Sequence, residues 1–355
     1  MRCRRCRKPA VIEIRRHNAA FCAPCLEHHC REQVARAVHD FAMFEPGQRV
    51  LIAVSGGKDS LGLWDLLLDL GYAAEGLYLG LGIEGAGGYS DQSAAFTHAF
   101  ASRRDAPLIT VDLPADYGYD IPGGAAAARR APCSACGLSK RHLFNRAALD
   151  GGFDVVATGH NLDDEAAVLF GNVLRWNTEY LGRQLPVLPA ADGFVRKVKP
   201  LVRLGEREMA AYCVVRGIDY IVEECPMAIG NRHLGYKEAL NAIEDRSPGT
   251  KQVFYFGFLE RASAHFRPAA TTAQEGLHPC PSCGSPTTAA QCAFCSLVSR
   301  ARAGGAEAGA GAGAEVGVAG AGAEMGVAGA GAEMGVAGAE AEVTEVAVPG
   351  PRRVR

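Results

Sequence analysis

The sequence predicts an α/β protein in which helices cover both faces of a parallel sheet, with a small cysteine-rich module at each end. Three observations lead to this prediction. Short apolar runs alternate with helical segments between Arg49 and Ile221, four Cys-x2-Cys pairs lie in two groups near the ends, and the composition changes abruptly after Arg302. Continuous apolar runs that alternate with helices are typical of parallel strands buried on both sides.

The composition is that of an ordinary globular chain. The 355 residues include 37 Lys and Arg against 39 Asp and Glu, and hydrophobic residues make up 48%, which excludes a wholly disordered protein. No apolar run reaches the roughly 18 residues of a membrane span, and the start MRCRRCRKPA lacks the apolar core of a signal peptide. We therefore expect a cytoplasmic protein without a membrane partner. Residues 1–40 carry nine basic and four acidic residues, which indicates either a local RNA-binding face or a merely solvated one.

The elements follow in order after a first predicted helix, Glu27–Phe44, and a Pro46-Gly47 turn. Strands are predicted at four strongly apolar runs and two weaker ones: 49–55, 75–82, 107–113 and 153–160, then 195–201 and 218–225. Helices are predicted between them from their apolar spacing, at Leu61–Leu70, Ser90–Arg104, Ser139–Leu149, Asp163–Leu174 and Glu206–Arg216. Each crossover between parallel strands should be right-handed.

The final segment has a different character. Residues 303–348 are mainly Ala, Gly, Glu and Val, and a nine-residue unit recurs at Glu315, Glu324 and Glu333. Glycine at this density disfavours helix, and there is little large apolar surface to pack. We predict that 301–355 is a disordered tail without chemistry, with a structural role for the repeat as the alternative.

Cysteine spacing indicates two metal modules. Disulfides are not expected in a cytoplasmic chain, yet this chain has 13 cysteines. Two Cys-x2-Cys pairs at each end provide four thiolates, enough for one tetrahedral zinc ion, whereas the alternative is a set of ordinary buried cysteines. The predicted zinc ligands are Cys3, Cys6, Cys22 and Cys25 near the start, and Cys280, Cys283, Cys292 and Cys295 near the end.

The six-residue string SGGKDS, Ser55–Ser60, directly follows a predicted strand and opens a predicted helix. Its glycines let backbone N–H groups approach a phosphate, and the helix N-terminus and Lys58 add positive potential. The string is not a Walker A motif, because Ile52 and Asp59 stand where that motif requires Gly and Ser or Thr. SGGxDS instead resembles the PP-loop of the ATP pyrophosphatases, which cleave ATP between the α- and β-phosphates. A tight turn without a ligand is the alternative.

A second polar string, Thr158–Glu165, follows the predicted strand 153–160. Open α/β sheets bind ligands at the carboxyl ends of their strands. Asp163 and Asp164 near a triphosphate would suit Mg²⁺, although acidic residues also stabilise the first turn of a helix without any metal. The string GHNLDDEA resembles the second motif of PP-loop enzymes that modify tRNA.

Three further cysteines lie apart from the terminal modules. Cys133 and Cys136 form a Cys-x2-Cys pair, and Cys225 lies far downstream. Cys213 falls in an apolar helical pattern, so we assign it to the core and find no fourth ligand. Three thiolates with an open position are poor for structural zinc but suit a [4Fe–4S] cluster with one iron free for an exogenous ligand. A redox couple or a persulfide-carrying cysteine fits the spacing as well.

Together, CSACGLSKRHLFNRAA, SGGKDS and GHNLDDEA, between Cys-x2-Cys pairs at both ends, resemble the TtuA family of tRNA 2-thiouridine synthetases. The cytosolic tRNA thiolation proteins are relatives of that family. The resemblance runs from Met1 to about Leu297 and includes the late string Ser247–Lys251. It implies a PP-loop fold, which is Rossmann-like and similar to the adenine nucleotide α-hydrolases, flanked by zinc modules. The implied domains are 1–30 (zinc module), 31–265 (PP-loop domain with its linking helix) and 275–300 (zinc ribbon).

The resemblance also implies residue roles. Asp59 and Lys140 resemble the family's catalytic pair, and Cys133, Cys136 and Cys225 its cluster ligands. A glycine-rich insertion at Gly85–Gly88 and the tail depart from the family pattern. The implied ATP-binding residues are Ala53, Ser55, Gly56, Gly57, Lys58, Asp59, Ser60, Leu79, Lys140, Gly159, Asp163 and Asp164.

The implied function is ATP-dependent 2-thiolation of a tRNA uridine, by adenylation of O2, release of pyrophosphate and sulfur insertion through an iron–sulfur cluster. The implied cofactors are ATP, Mg²⁺, two Zn²⁺ and [4Fe–4S]; the implied partners are tRNA and a ubiquitin-like thiocarboxylate sulfur carrier, with a homodimer left open. A tRNA cytidine 2-thiolase is one alternative, disfavoured by the terminal zinc modules. A zinc-ribbon RNA-binding scaffold without ATP turnover is another, disfavoured by the intact SGGKDS. The tRNA is expected on the basic N-terminal module and on Arg129, Arg130, Lys140, Arg141 and Arg146.

Overall fold

The computed structural model describes residues 1–83, 88–191, 193–228, 232–271 and 276–311. The strands are β1 (Ile12–Ile14), β2 (Ala19–Phe21), β3 (Arg49–Val54), β4 (Ala73–Gly80), β5 (Leu108–Asp112), β6 (Val155–Thr158), β7 (Val187–Leu188), β8 (Arg196–Val198), β9 (His278–Pro279) and β10 (Pro286–Thr287). The helices are α1 (Ala23–Asp40), α2 (Lys58–Asp69), α3 (Tyr89–Arg104), α4 (Ile121–Ala127), α5 (Pro132–Asp150), α6 (Leu162–Leu174), α7 (Thr178–Gly182), α8 (Glu206–Arg216), α9 (Arg232–Arg246), α10 (Thr250–Arg261), α11 (Ser263–Thr271) and α12 (Ala293–Gly311).

The central sheet has six strands in the order β5-β4-β3-β6-β8-β7. β3 pairs in parallel with β4 and β6, and the pairs β4–β5 and β6–β8 are also parallel, whereas the short edge strand β7 is antiparallel to β8. The four strongly apolar runs of the sequence form β3 to β6, and the weaker run 195–201 forms the short β8. The predicted α/β class with a mainly parallel sheet is confirmed.

Two hydrophobic cores cover the two faces of the sheet. Along β3, Val50, Ile52 and Val54 belong to one core, which also includes side chains of α1, α2 and α8. Leu51 points the other way, into a core that includes side chains of α4, α5 and α12. This alternation follows from the two-residue repeat of a strand, and it explains why β3 is apolar throughout.

The chain order creates a switch point beside β3. The chain passes outward from β3 to β4 and β5, then returns to place β6 on the other side of β3. In open α/β sheets, a ligand crevice forms where neighbouring connections leave in opposite directions. The strings SGGKDS and GHNLDDEA follow β3 and β6, so both lie at this crevice.

Three predicted elements differ from the structure. The first helix, predicted over Glu27–Phe44, is α1 and spans Ala23–Asp40. The run 218–225 forms no strand; Ile221 instead donates its backbone N–H to the oxygen of Gly56, at 2.9 Å, so its hydrogen bond goes to the SGGKDS loop rather than to a sheet edge. The helix predicted from Ser139 begins earlier, at Pro132, because the fixed φ angle of proline suits the first position of a helix.

The two cysteine modules pack on opposite faces. The N-terminal module contains the β1–β2 hairpin and places Cys3 and Phe21 in the first core. The C-terminal module contains the β9–β10 pair and places Cys280 and Phe294 in the second. α12 continues into the predicted tail as far as Gly311.

The rest of the predicted tail, and residues 85–87 of the predicted insertion, lie outside the described residues. Among the helices that the structure describes, none has the length and apolarity needed to cross a bilayer.

Candidate active site and metal centres

The SGGKDS loop joins β3 to α2 in a conformation that requires glycine at one position. Gly56 has a φ of +72°, and a Cβ there would lie 2.5 Å from the backbone oxygen of Ser93. The Ser60 hydroxyl donates to the oxygen of Gly57 at 3.0 Å and accepts from the N–H of Ser55 at 3.1 Å. These bonds hold a tight turn at the N-terminus of α2, where backbone N–H groups and the helix dipole favour an anion.

A cavity of about 320 Å³ opens beside this loop. We call it the nucleotide cavity, since seven of the predicted ATP-binding residues line it, drawn from the loop, β4, α5 and the end of β6. The seven are Ala53, Ser55, Asp59, Ser60, Leu79, Lys140 and Gly159. Three other predicted ATP-binding residues, Gly57, Lys58 and Asp163, line a second cavity that is described below.

The second polar string abuts the loop. A Cβ on Gly159 would lie 2.9 Å from the carbonyl carbon of Asp59 and from the nitrogen of Ser60, so only glycine fits there. Asn161 caps α6 through a capping box with Asp164 and also donates to Asp59 Oδ1 at 3.1 Å. The ends of β3 and β6 therefore form one continuous polar surface.

Lys58 and Asp59 carry the charges of the loop. Lys58 Nζ lies 3.1 Å from Asp59 Oδ2 and 2.8 Å from Glu206 Oε1. Burial alone would lower the pKa of Lys58, but Asp59 and Glu206 outweigh it and raise the pKa above the ordinary value. Burial raises the pKa of Asp59 to about 6, helped by Asp164 and opposed by Lys58. The loop thus presents a firmly protonated lysine beside a carboxyl that gains its proton near pH 6.

Asp163 and Asp164, predicted near the triphosphate, both have lysine partners. Asp163 pairs with Lys251 and accepts the N–H of Glu206 at 2.9 Å. Asp164 lies 2.6 Å from Lys237, which also contacts Glu206 at 3.1 Å. Asp163 therefore anchors the start of α8, whereas Asp164 belongs to a charge chain that leads through Glu206 to Lys58.

The three central cysteines approach the same edge of the sheet. Cys133 and Cys136 lie in the first turns of α5, and the Cys133 thiol contacts the oxygen of Met227 at 3.3 Å. Burial raises the pKa of Cys136, with Lys140 opposing and Cys225 and Cys133 adding to the rise. The structure thus places the three predicted cluster ligands in one neighbourhood, with Cys136 one helical turn from Lys140.

A second cavity, of about 910 Å³, reaches Cys225. We call it the large cavity. It extends from Lys58 and Asp59 past Tyr220–Cys225 to the N-terminal module at Ile12–Arg16 and to Lys251. The loop therefore lies between the nucleotide cavity and a cavity that reaches Cys225.

The terminal cysteines gather tightly. In each module, all four sulfurs lie within 4.8 Å of one another; for example, Cys6 and Cys22 are 3.4 Å apart, and Cys283 and Cys292 are 3.6 Å apart. Zinc–sulfur bonds of about 2.3 Å in a tetrahedron place sulfurs roughly 3.8 Å apart. Backbone N–H groups, first that of Cys292, lower the pKa of Cys280 to about 6. The residues at both ends fit a tetrahedral metal ion.

A third group of metal-ligating side chains has a different explanation. His17, His29 and Glu208 bring donor atoms within 4.8 Å. Glu208 is already occupied: it pairs with Arg16, lies 3.0 Å from His29 Nε2 and accepts the N–H of Gly205 at 2.7 Å. We interpret this group as a buried ion-pair network that joins the N-terminal module to α8.

Some site residues carried no sequence signal. Glu206 on α8 contacts Lys58 of the loop, and Lys237 on α9 contacts Glu206 and Asp164. Each looks like an ordinary surface charge in its helical pattern. Tyr89, which lines both cavities, lies beside the glycine-rich insertion. Burial raises the pKa of Tyr89 to about 12, and Cys225 adds to the rise. Lys251 differs from Glu206, Lys237 and Tyr89, because the sequence analysis had singled it out within the string Ser247–Lys251.

The fold and the loop define the class, an ATP-binding α/β protein of the PP-loop type. Residues 26–228 match the family model described as "PP-loop domain", and residues 2–27 match "2-thiouridine synthetase TtuA, N-terminal LIM domain". The chain belongs to the TtuA family of PP-loop transferases.

Several known proteins are similar to this chain. A tRNA-5-methyluridine(54) 2-sulfurtransferase of Thermus thermophilus is 49% identical over 301 residues, 84% of this chain and 91% of that protein. One of the same name from Pyrococcus horikoshii is 41% identical, over 83% of this chain and 93% of that protein. The cytoplasmic tRNA 2-thiolation protein 1 of Aspergillus niger is 31% identical, over 63% and 67%.

A solved structure has the same fold. The U34-tRNA thiolase NcsA from Methanococcus maripaludis, with its [4Fe-4S] cluster, superposes with a TM-score of 0.69 at 25% identity, over 84% of this chain and 95% of that one. The expected family and fold class are confirmed.

Proposed function

We propose that this protein catalyses ATP-dependent 2-thiolation of a tRNA uridine. The observation that carries the proposal is the position of the SGGKDS loop, with Asp59 on the wall of both the nucleotide cavity and the cavity that reaches Cys225. An activated nucleotide intermediate and a sulfur source can therefore meet without leaving the protein. Relatives named for 5-methyluridine 54 support the same reaction, and from them we propose position 54 as the target.

The first step is adenylation. The uracil O2 attacks the α-phosphorus of ATP, a new O–P bond forms, the bond to the β-phosphate oxygen breaks, and pyrophosphate leaves. Lys58 and Lys140 offset the charge on the phosphates, for which Lys58 exchanges its contact with Glu206 for a phosphate oxygen. In the second step a sulfur nucleophile forms a bond to C2, the C2–O bond breaks, and AMP leaves.

The central thiols fit an iron–sulfur cluster better than a single ion. Within the described residues, they do not form a group as tight as the terminal modules, and a cluster whose thiolates bind different irons needs the wider spacing. A [4Fe–4S] cluster on Cys133, Cys136 and Cys225 would supply an iron with an open position for sulfur.

The other cofactors follow from the charges and sulfurs described above. Zinc at the two terminal modules would hold them folded. Mg²⁺ would bind the phosphates with Asp59, because Asp163 and Asp164 are engaged by Lys251 and Lys237. We keep the catalytic assignment of Asp59 and Lys140, whose side chains line the same nucleotide cavity.

The partners we propose are tRNA and a ubiquitin-like protein whose C-terminal thiocarboxylate delivers sulfur. We place the reaction in the cytoplasm. A homodimer is the assembly that light scattering should check. Four predicted tRNA-contacting arginines, Arg129, Arg130, Arg141 and Arg146, are exposed. Arg146 is partly neutralised by Asp150 at 2.7 Å. The two arginines Arg129 and Arg130 immediately precede α5, next to the thiols.

The test uses anaerobically reconstituted protein, ATP, sulfide and tRNA that lacks the 2-thio group. We expect pyrophosphate release and 2-thiolated 5-methyluridine, mapped to position 54 by mass spectrometry of nuclease fragments. Lys58→Ala should abolish both products, while Arg261→Ala, which changes an exposed residue outside both cavities, should retain them. Thiolation at position 34 would overturn the proposed position, and full activity of Lys58→Ala would overturn the role of the loop.

A further inference from the structure

One aromatic side chain stands where the two cavities meet. Among the described residues, the nucleotide cavity and the large cavity share Ser55, Asp59, Ser60 and Tyr89. The first three belong to the SGGKDS loop, whereas Tyr89 comes from another element, as the first residue of α3. Tyr89 therefore faces the nucleotide on one side and the route to Cys225 on the other.

The backbone that carries Tyr89 is fixed in place. Its neighbour Ser90 donates its N–H to the oxygen of Ile83 at 3.1 Å, and the Ser90 hydroxyl accepts from the N–H of Ile83 at 2.8 Å. The oxygen of Ser90 accepts from the Tyr78 hydroxyl at 2.9 Å. These bonds join the start of α3 to the end of β4, so Tyr89 is presented from a rigid position.

The hydroxyl of Tyr89 differs from that of Tyr78 in its partners among the described residues. The residue is half-buried against the second core, yet within the described part of the chain its hydroxyl has no hydrogen-bond partner. Tyr78 offers the contrast, since its hydroxyl is tied to both Ser90 and Ser93, the latter at 2.7 Å. Because Tyr89 lines both cavities, its hydroxyl is available to donate a hydrogen bond to a molecule held there.

The proposed reaction specifies what must occupy this place. The acceptor base has to present O2 to the α-phosphate beside the loop and then C2 to sulfur on the Cys225 side. Enzymes that act on a base take it out of the helical stack and commonly hold it against an aromatic ring. A planar ring that borders both cavities can hold one base through both steps.

We propose that Tyr89 contacts the acceptor uracil, with its ring stacked on the base and its hydroxyl donating to a base carbonyl. This inference rests on the proposed function and adds the residue that orients the substrate. It predicts that Tyr89 governs the use of tRNA and not the binding of ATP.

The kinetic test compares Tyr89→Leu, Tyr89→Phe and the matched control Tyr180→Leu, which changes an exposed tyrosine outside both cavities. For Tyr89→Leu we expect kcat/KM for tRNA to fall about 30-fold, with the ATP Kd within twofold and iron content unchanged. Tyr89→Phe, which keeps the ring, should lose about threefold, and Tyr180→Leu should match the wild type.

A photocrosslink supplies a readout independent of turnover. The tRNA carries 5-iodouridine at the target position, and the holoenzyme is irradiated with it and a non-hydrolysable ATP analogue. We expect the adduct on the peptide that contains Tyr89. Wild-type kcat/KM in Tyr89→Leu, an adduct only elsewhere, or a parallel loss of ATP binding or iron would each overturn the inference. If wild-type protein thiolates no tRNA at all, the proposed function itself fails, which is a different result.

Discussion

The terminal and central cysteines form two kinds of site in one chain. At each end, four sulfurs lie within 4.8 Å of one another, and two of the four are buried in each module. In the centre, Cys133 is exposed while Cys136 and Cys225 are half-buried. Four closely gathered thiolates complete the coordination of one ion, whereas three leave a position open. The comparison teaches that the number and spacing of thiols separate structural from reactive sites.

Their places in the fold agree with that division. The terminal modules contribute Cys3 and Cys280 to the cores on the two faces of the sheet. The central thiols lie instead at the carboxyl edge, where Cys225 faces the large cavity and its segment is tied through Ile221 to the loop. A metal ion held in a core would stabilise packing, and the proposed cluster at the cavity edge would meet substrate.

Removal of one central thiol should have the largest effect. Cys225→Ala leaves two thiolates from a single Cys-x2-Cys pair, so we expect anaerobically purified protein to lose its iron and at least 99% of its thiolation activity. Both zincs should remain, because their ligands lie elsewhere, and ATP binding should be unchanged. Metal analysis and isothermal titration measure these outcomes. Activity in the colourless, iron-free protein would favour persulfide chemistry over the cluster.

Removal of a terminal thiol should instead cause loss of zinc and leave the iron content unchanged. Cys283→Ser should lower zinc content from about two to about one per chain and reduce Tm by about 10 °C, because structural zinc contributes directly to folding. Iron content should stay at about four. Thermal melts with metal analysis of the same sample provide the measurement. Loss of iron together with zinc would show that the two kinds of site are not independent.

A smaller effect is expected where the N-terminal module meets the catalytic core. Burial alone would raise the pKa of Glu208, but His29 and Arg16 outweigh it and hold the pKa below 4.5. The ionised Glu208 therefore stabilises the fold at pH values above 4.5, the ordinary pKa of a glutamate. This contribution is lost as the pH falls through the lowered pKa. Glu208→Gln should cost about 3 kcal/mol and lower Tm by about 5 °C.

The pH dependence tests the cause of that loss. The Tm difference between the wild type and Glu208→Gln should persist from about pH 8 to pH 5, since the carboxylate stays ionised and paired with Arg16. Arg31→Gln, which changes a half-exposed residue 3.8 Å from Asp69, serves as the matched surface control. A difference that disappears between pH 8 and pH 6 would contradict the assignment.

The sequence predicted those parts of the molecule that depend on local pattern. The runs that became β3 to β6 are buried strands whose apolar character reports burial directly, and SGGKDS and the cysteine pairs have fixed local spacing. The prediction of a strand at 218–225 was wrong because the backbone N–H of Ile221 bonds to the loop. No local sequence pattern records such a tertiary contact. For the same reason the roles of Glu206 and Lys237 were missed.

The two aspartates show this limit most clearly. Asp163 and Asp164 are adjacent, and the sequence assigned both to the nucleotide. The structure separates them, because Lys251 arrives from α10 at Asp163 and Lys237 from α9 at Asp164. Their difference is set by which helix packs against each side of α6, and that follows from the whole fold.

The smallest effect is expected from removing the end of the chain. Truncation after Arg302 retains Ala301, which is buried, and Arg302, whose Nε donates to the oxygen of Tyr117 at 3.0 Å. Residues 303–348 carry seven Glu and no Lys or Arg, so their removal takes away no phosphate-binding group from that segment. We expect metal content and kcat/KM within twofold of the full chain, and tRNA binding that is, if anything, tighter at low salt because negative charge is removed. Fluorescence anisotropy with labelled tRNA at 50 and 200 mM salt measures this. A fivefold loss of affinity would show that the tail, including Arg352, Arg353 and Arg355, contributes to tRNA binding.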